Sequence, residues 1–546
     1  MTSLPCFHSY PASHPGCARN RWAFGVALAL ALAPAGVAAQ AMAEPLVPRG
    51  RVRFDLVPSI TSWDTRYGLR SEGGKKVEED EKLGMDLTDP RGVSLFPGVQ
   101  TLEEAVRKLS GDDGFQGSVG ATSARLQMDV TRIDMGLRIG VFDWLTVGGN
   151  VPYVKGVSTL DLAFRPDTAA NLGLNPASAS SDQVSALLTG LGEAATAAAA
   201  RAQTVCAGGS GADCAAAQAL ATRTSDFWNG TFGAYFASPF FPLGTAPVAA
   251  RLRQALAALD GDLVAAGLQG VGRPMVFASK ALDQAGFLKL PSDPASGIEM
   301  TPVRGYPGLW QLGDVEVNAT VRVLEGEVRD SAAVSPRFAW ALYGGLLVRL
   351  PTGVLDDPNV FLDLASGDGQ QDIEGRVDGE LRVGPRFDVR GAFRYGTQGA
   401  VDVVRRVAAP EALLPPASSA RVVRWTPGAY WFVELSPRLH LGEVVSFAAD
   451  FRQFTKGKDT YELVGEEPAG SAPADLSLLS RETEVTLREL ALGLRYSSVR
   501  LFHEGRVGTP AEVGVRWVRP LSGSGGQAPK ASRVEISVSL FRRIWG

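Results

Sequence analysis

LGDVEVNATVRVL, residues 312–324, decides the fold. Val315, Val317, Ala319, Val321 and Val323 fall on one face and Asp314, Glu316, Asn318, Thr320 and Arg322 on the other, because successive side chains of an extended chain point in opposite directions. IEGRVDGELRV, residues 373–383, repeats the pattern, setting Ile373, Val377, Leu381 and Val383 against Glu374, Arg376, Asp378, Glu380 and Arg382. Phe387, Val389, Phe393 and Tyr395 then oppose Asp388, Arg390 and Arg394. Further strands read at 52–60, 145–153, 338–350, 423–435, 445–451, 513–517 and 534–540. In two more, 126–141 and 485–496, the apolar face changes sides at Thr131–Arg132 and at Arg488–Glu489, as a β-bulge makes it do.

A soluble sandwich also alternates; the connections separate the two readings. Tight or modest links at 141–144, 325–336, 384–385, 436–440 and 500–510 alternate strictly with longer ones at 66–120, 165–308, 352–370, 396–420, 455–482 and 520–532. Bacterial outer-membrane barrels have this asymmetry, with short periplasmic turns, long extracellular loops and an even strand number. The expected fold is all-β: a transmembrane antiparallel up-and-down β-barrel of about twelve strands over residues 44–546, with helical extracellular insertions. Trp63, Trp144, Tyr153, Trp340, Trp425, Trp431 and Trp517 stand near strand ends, where interfacial girdles belong; scattered core aromatics are the other reading.

Composition narrows the classes. The 54 basic and 58 acidic residues give a net charge of −4, no surface for a phosphate backbone, so nucleic acid is not an expected partner. Arg19 and Arg21 precede an apolar run, 23–33, followed by VAA at 37–39 or AMA at 41–43, the pattern of a signal peptide cleaved near 39 or 43. That assigns residues 1–43 to export and the mature chain to the bacterial outer membrane. Cys206 and Cys214 remain, joined by a glycine-rich turn in an oxidising setting, and are expected to form a disulfide.

The long links carry structure of their own. TLEEAVRKL within 66–120 opens with Thr101 as a candidate N-cap and Glu104 three residues on, the spacing of a capping box. The insertion at 165–308 reads as helical at 182–202, 214–223 and 247–266. Between these, Phe227, Trp228, Phe232, Tyr235, Phe236, Phe240 and Phe241 are candidates for a hydrophobic entry or plug; packing among the insertion's helices is the alternative.

LGDV at 312–315, LPTG at 350–353 and SGDGQQD at 366–372, in that order and around one strand, resemble the outer-membrane channel superfamily associated with phenol meta-degradation pathways, distantly related to long-chain fatty-acid transporters. The resemblance implies passive uptake of small, hydrophobic or aromatic molecules. It also implies recognition by the barrel assembly machinery through a terminal aromatic on the lipid face; FRRIWG, residues 541–546, offers Phe541 and Trp545, one phase off the apolar set Val534, Ile536, Val538 and Leu540. Inside such a barrel Asp314, Glu316, Asn318, Arg322, Glu374, Arg376, Asp378, Glu380, Arg382, Asp388, Arg390 and Arg394 would line the pore, as a selectivity element or as self-neutralising ion pairs. A non-transporting surface or adhesive barrel fits the same loops. A barrel enzyme is disfavoured, because the histidines left after cleavage, His440 and His503, fall on the short-turn side without a serine and an orienting acid in sequence. No catalytic residue, metal or cofactor is assigned; outer-membrane lipid and a small-molecule substrate are the expected partners.

Overall fold

The computed structural model describes residues 44–72, 75–166, 169–328, 337–408, 412–467 and 473–545. The proposed signal peptide lies outside the described residues. Twelve strands close into one barrel: β1 Arg51–Trp63, β2 Ala121–Phe142, β3 Leu145–Arg165, β4 Glu316–Val328, β5 Phe338–Arg349, β6 Asp372–Val383, β7 Phe387–Gln398, β8 Tyr430–His440, β9 Val445–Lys456, β10 Val485–Ser497, β11 Ala511–Ser524 and β12 Ser532–Arg543. Each pairs antiparallel with its neighbours, and β12 returns to β1 with Arg51 opposite Arg543 and Ser62 opposite Ser532.

The distribution of side chains is inverted relative to a water-soluble protein. Val317, Val377, Phe393, Val515 and Ile536 are about half exposed on the outer surface, whereas Glu316, Glu374, Arg394, Asp450, Arg516 and Glu535 are buried inside. An apolar belt around a charged, internally paired interior is stable only when hydrocarbon replaces water outside, so the barrel spans a membrane.

β2 and β3 are longer than a bilayer requires, since a tilted transmembrane strand needs about 9–11 residues. Their surplus stands above the long-loop rim. There the apolar face turns inward: Leu126, Met128 and Val130 are buried, whereas Met135 and Leu137, further along β2, are exposed on the outside. The bulge expected at Thr131–Arg132 is therefore absent, since β2 pairs with β1 and β3 in unbroken register there. The strand keeps its phase while its surroundings change from lipid to protein. At Arg488–Glu489 the register does shift, but the extra residue, Leu521, belongs to β11.

Two other expectations need correction. Residues 423–435 are not one strand. Ala420–Thr426 pairs with Val401–Arg406 and Thr460–Leu463 in a small sheet above the rim, and Tyr430–His440 is the barrel strand; the expected link at 436–440 is thus the end of β8. Trp63 and Trp425 are buried beneath the loops rather than placed in a girdle, while Trp144, Trp340 and Trp517 are exposed on the barrel wall.

The long loops fold over the rim. Helix α1, Gly98–Ser110, starts before Thr101, with Pro97 at its N-cap position and no side-chain cap. The capping box expected at Thr101 does not form. The insertion contributes α2 Ser181–Cys206, α3 Ala212–Phe236 and α4 Pro247–Ala265. Val184, Leu187 and Leu191 of α2 and Leu252, Leu259 and Leu263 of α4 share one apolar core with α1 and the upper halves of β2 and β3. Cys206 and Cys214 are disulfide-bonded, Cα–Cα 4.7 Å, clamping the α2–α3 turn.

Candidate functional site

The lumen is built from the inward-facing positions that the alternation dictates, and the strand ladders bring their charges into pairs. Glu316 lies 3.3 Å from Arg349. Glu374 accepts a hydrogen bond from the Tyr430 hydroxyl at 2.9 Å, with Arg394 at 3.9 Å. Arg376 pairs with Asp378, and Glu380 stands 3.4 Å from both Arg382 and Arg390. Asp388 meets Arg438 at 3.2 Å and His440 Nε2 at 2.6 Å. Asn318 is half-buried, and Arg322 contacts Glu325 at 3.0 Å on its own strand. Arg382 is about half exposed, toward the short-turn end.

Asp314 plays a different part. Its carboxylate accepts from the backbone N–H of Gly353 at 2.8 Å and of Asp368 at 3.2 Å, anchoring a loop.

The opposite wall also carries buried charge, which the alternation alone did not single out. Arg452 meets Glu434 at 2.9 Å, Arg516 meets Asp450 at 3.0 Å and pairs with Glu535, and Arg533 also engages Glu535, at 2.6 Å. Arg394, Arg452 and Arg516 are almost wholly buried. Charges this deep persist only when paired, so these networks fill the middle of the barrel.

A second filling comes from the start of the described chain. Residues 44–50 turn back into the short-turn end of the lumen, where Glu44 lies 3.0 Å from Arg390 and its carbonyl accepts from Arg53 at 2.6 Å. Val47 donates its N–H to Thr146 Oγ1 at 2.8 Å. Gly50 donates to the Gly140 carbonyl at 2.9 Å and accepts from the N–H of Ile544 at 2.8 Å, so the two ends of the chain meet there. A Cβ at Gly140 would collide with the carbonyl oxygens of both Val47 and Pro48; only glycine admits the segment this closely. The space left beside Pro45, Tyr343 and Arg390 is about 20 Å³, room for about one water.

A cavity of about 250 Å³ lies between the long-loop rim and the loops above it. Trp63, Met128, Met300, Phe361, Leu413 and Trp425 supply much of its apolar lining. Trp425 is oriented by its indole N–H, which donates to Asp459 Oδ2 at 3.1 Å. Arg66 is fixed by Glu81 and Asp86, both at 2.9 Å. Burial, with the neighbouring Asp372 and Asp314 carboxylates, pushes Asp368 up to about 7.

The aromatic entry candidates do not line this cavity. Phe227, Tyr235, Phe240 and Phe241 are buried in the insertion's core, and Trp228 packs against it. Tyr235 stacks on Phe241 at 4.3 Å, and its hydroxyl donates to the Val276 carbonyl at 2.7 Å. Phe232 and Phe236 pair at 4.8 Å on the exposed outer side of α3. They are packing residues and a surface pair, because α3 carries Phe227, Trp228, Phe232, Tyr235 and Phe236 around more than one face while Phe240 and Phe241 lie in a short buried strand, Phe240–Pro242.

An apolar exterior, an ion-paired lumen and an apolar chamber under the loops define a closed transmembrane β-barrel with a compartment at its long-loop end. No protein-family model matches the chain and no curated protein matches its sequence. Among solved structures, an outer membrane channel from Pseudomonas putida F1 is similar at 9% identity and a TM-score of 0.38, covering 91% of this chain and 97% of that one. The translocator domain of the autotransporter NalP from Neisseria meningitidis gives 7%, 0.28, 95% and 100%. A deletion mutant of the TodX monoaromatic hydrocarbon channel gives 11%, 0.26, 92% and 94%. Likeness this loose identifies neither family nor function, and the functional reading rests on the geometry of the barrel and its chamber.

Proposed function

We propose that the protein is an outer-membrane channel for the passive uptake of small, largely apolar molecules, aromatic ones among them. The carrying observation is the roughly 250 Å³ apolar chamber at the long-loop end of a lipid-facing barrel. A cavity of about 150 Å³ already holds benzene, so one substituted ring fits. The pattern at 19–43 supports export, and the long loops then face outward. Trp545, exposed just past β12, is the aromatic that barrel assembly machinery would read, since Phe541 is buried on the inward side. In this reading a molecule leaves water for the chamber and reaches the periplasm when the ion-paired filling of the mid-barrel rearranges and residues 44–50 withdraw from the short-turn end of the lumen.

Uptake of toluene, benzyl alcohol and glucose into proteoliposomes tests the reading. Passage of the two aromatics, increased by deleting residues 44–50, is the expected result. Because these aromatics cross plain phospholipid unaided, the vesicles carry lipopolysaccharide in the outer leaflet, and rates no higher than in the matching protein-free vesicles would favour a surface or adhesive barrel.

A further inference from the structure

The chamber is not purely apolar, and one polar group on its wall has an unmet requirement. Gln527, in the β11–β12 loop, lines the chamber and is almost wholly buried. Its Oε1 accepts from Arg66 Nη1 at 3.3 Å. A guanidinium can only donate, so this contact fixes the amide's orientation and commits Nε2 to the other side. Gln527 Nε2 is buried without a hydrogen-bond partner among the described residues. Arg406, also on the lining, donates from its terminal nitrogens to the carbonyls of Pro415 and Glu299, yet its buried Nε likewise has no partner among them. Buried donors are rarely left unpaired, and an unmade bond is costly.

Charge restricts what can supply the acceptor. Arg66, Arg405 and Arg406 share the lining with Asp356, Asp357, Asp363 and Asp368. Arg66 is matched from behind by Glu81 and Asp86, and Arg405 by Asp356 at 2.9 Å. A carboxylate ligand would meet excess negative charge; a neutral oxygen would not.

Resting on the uptake reading above, we infer that the chamber binds a neutral, single-ring aromatic that carries a carbonyl or hydroxyl oxygen, with Gln527 Nε2 donating to that oxygen. The ring lies among Trp63, Phe361 and Trp425. A pure hydrocarbon of the same shape leaves the Gln527 donor unmet and binds more weakly.

Isothermal titration of the full mature chain in detergent, corrected for empty micelles, compares acetophenone, ethylbenzene and benzoate. Acetophenone is expected to bind about tenfold more tightly than ethylbenzene, a difference of about 1.4 kcal/mol, with benzoate weakest. Gln527→Glu keeps an acceptor for Arg66 but removes the donor; Gln527→Met removes both. Each should erase the preference for acetophenone. Equal binding of acetophenone and ethylbenzene to the unaltered chain, or a preference that survives both substitutions, overturns the assignment while leaving apolar uptake standing. Binding of neither, together with no uptake into liposomes, fells the uptake reading itself. Heat-modifiable migration confirms that each variant folds, and if either does not, the comparison of the three ligands on the unaltered chain decides.

Discussion

The Asp314 carboxylate holds the backbone N–H of Gly353 at 2.8 Å, and a β-carbon at Gly353 would approach that carboxylate to 2.9 Å and the Cα of Gly367 to 2.6 Å. Around this contact Thr352 Oγ1 donates to the Gly313 carbonyl at 2.8 Å and Ser366 Oγ to the Leu312 carbonyl at 2.7 Å. LGDV, LPTG and SGDG, far apart in sequence, are thus one junction. It ties the loop between β5 and β6, which forms one wall of the chamber, to the approach to β4.

Gly353→Ala tests the junction. Overpacking a close contact costs about 1–3 kcal/mol, here confined to the loop. The barrel should still show heat-modifiable migration, while residues 350–371 become open to limited proteolysis. Proteolysis unchanged from the parent would mean that the close approach is not needed to hold the loop.

The same loop should respond to pH through Asp368. With Asp368 pushed up to about 7 by burial and by Asp372 and Asp314, the folded loop retains a proton that an unfolded aspartate releases near 3.9. The contribution is fully present below about pH 4 and lost as pH rises toward about 7. Hydrogen exchange at residues 350–371 should therefore quicken, beyond its intrinsic pH dependence, between about pH 5 and pH 8, and Asp368→Asn should flatten that response. A parent loop indifferent to pH would exclude the titration.

The Cys206–Cys214 bridge closes a short loop, eight residues apart in sequence, at the tip of α2 and α3. Stabilisation grows with loop length and acts on the segment enclosed. Reduction should fray the ends of α2 and α3 in hydrogen exchange and leave barrel migration unchanged. Loss of the barrel on reduction would show that the insertion's fold and the barrel's are coupled.

The membrane-spanning part was legible because the barrel wall obeys a local rule. Each of Val377, Leu381 and Phe393 faces lipid, and each of Glu374, Asp378 and Arg394 faces inward, as period-two alternation requires. The rule misled where its premise changed. At Thr131–Arg132 an apolar face moved from lipid to loop core without any change in backbone, and sequence alone cannot distinguish that from a bulge. The chamber was illegible for another reason: Arg66 and Gln527 are 461 residues apart, and no local period connects them. Trp63 and Trp425 looked like girdle residues because strand ends and loop chambers occupy the same sequence positions. Glu44 precedes the first strand and carried no periodic signal at all.

The lumen's arginines differ in what each one touches, and their substitutions should differ accordingly. Arg382 and Arg390 border the space occupied by residues 44–50, with Arg390 3.0 Å from Glu44, whereas Arg394 is wholly buried beside Glu374 and over the Phe432 ring. Deleting residues 44–50 should raise single-channel conductance in planar bilayers. In that background Arg382→Ala and Arg390→Ala each remove a positive charge from the vacated passage, so reversal potentials under a salt gradient should move toward cation preference. Arg376→Ala, beside Asp378 at the same level as the small space near Pro45, should move them the same way by less. Arg394→Ala should behave differently, losing about 3–5 kcal/mol of stability because Glu374 is left buried without its cation. On the outside, Val377→Arg should cost about 2–4 kcal/mol near the bilayer midplane and impair assembly without touching selectivity. Unchanged reversal potentials in the Arg382 and Arg390 variants, with normal assembly and raised conductance, would show that ions pass elsewhere and that these arginines serve only to hold the barrel's filling together.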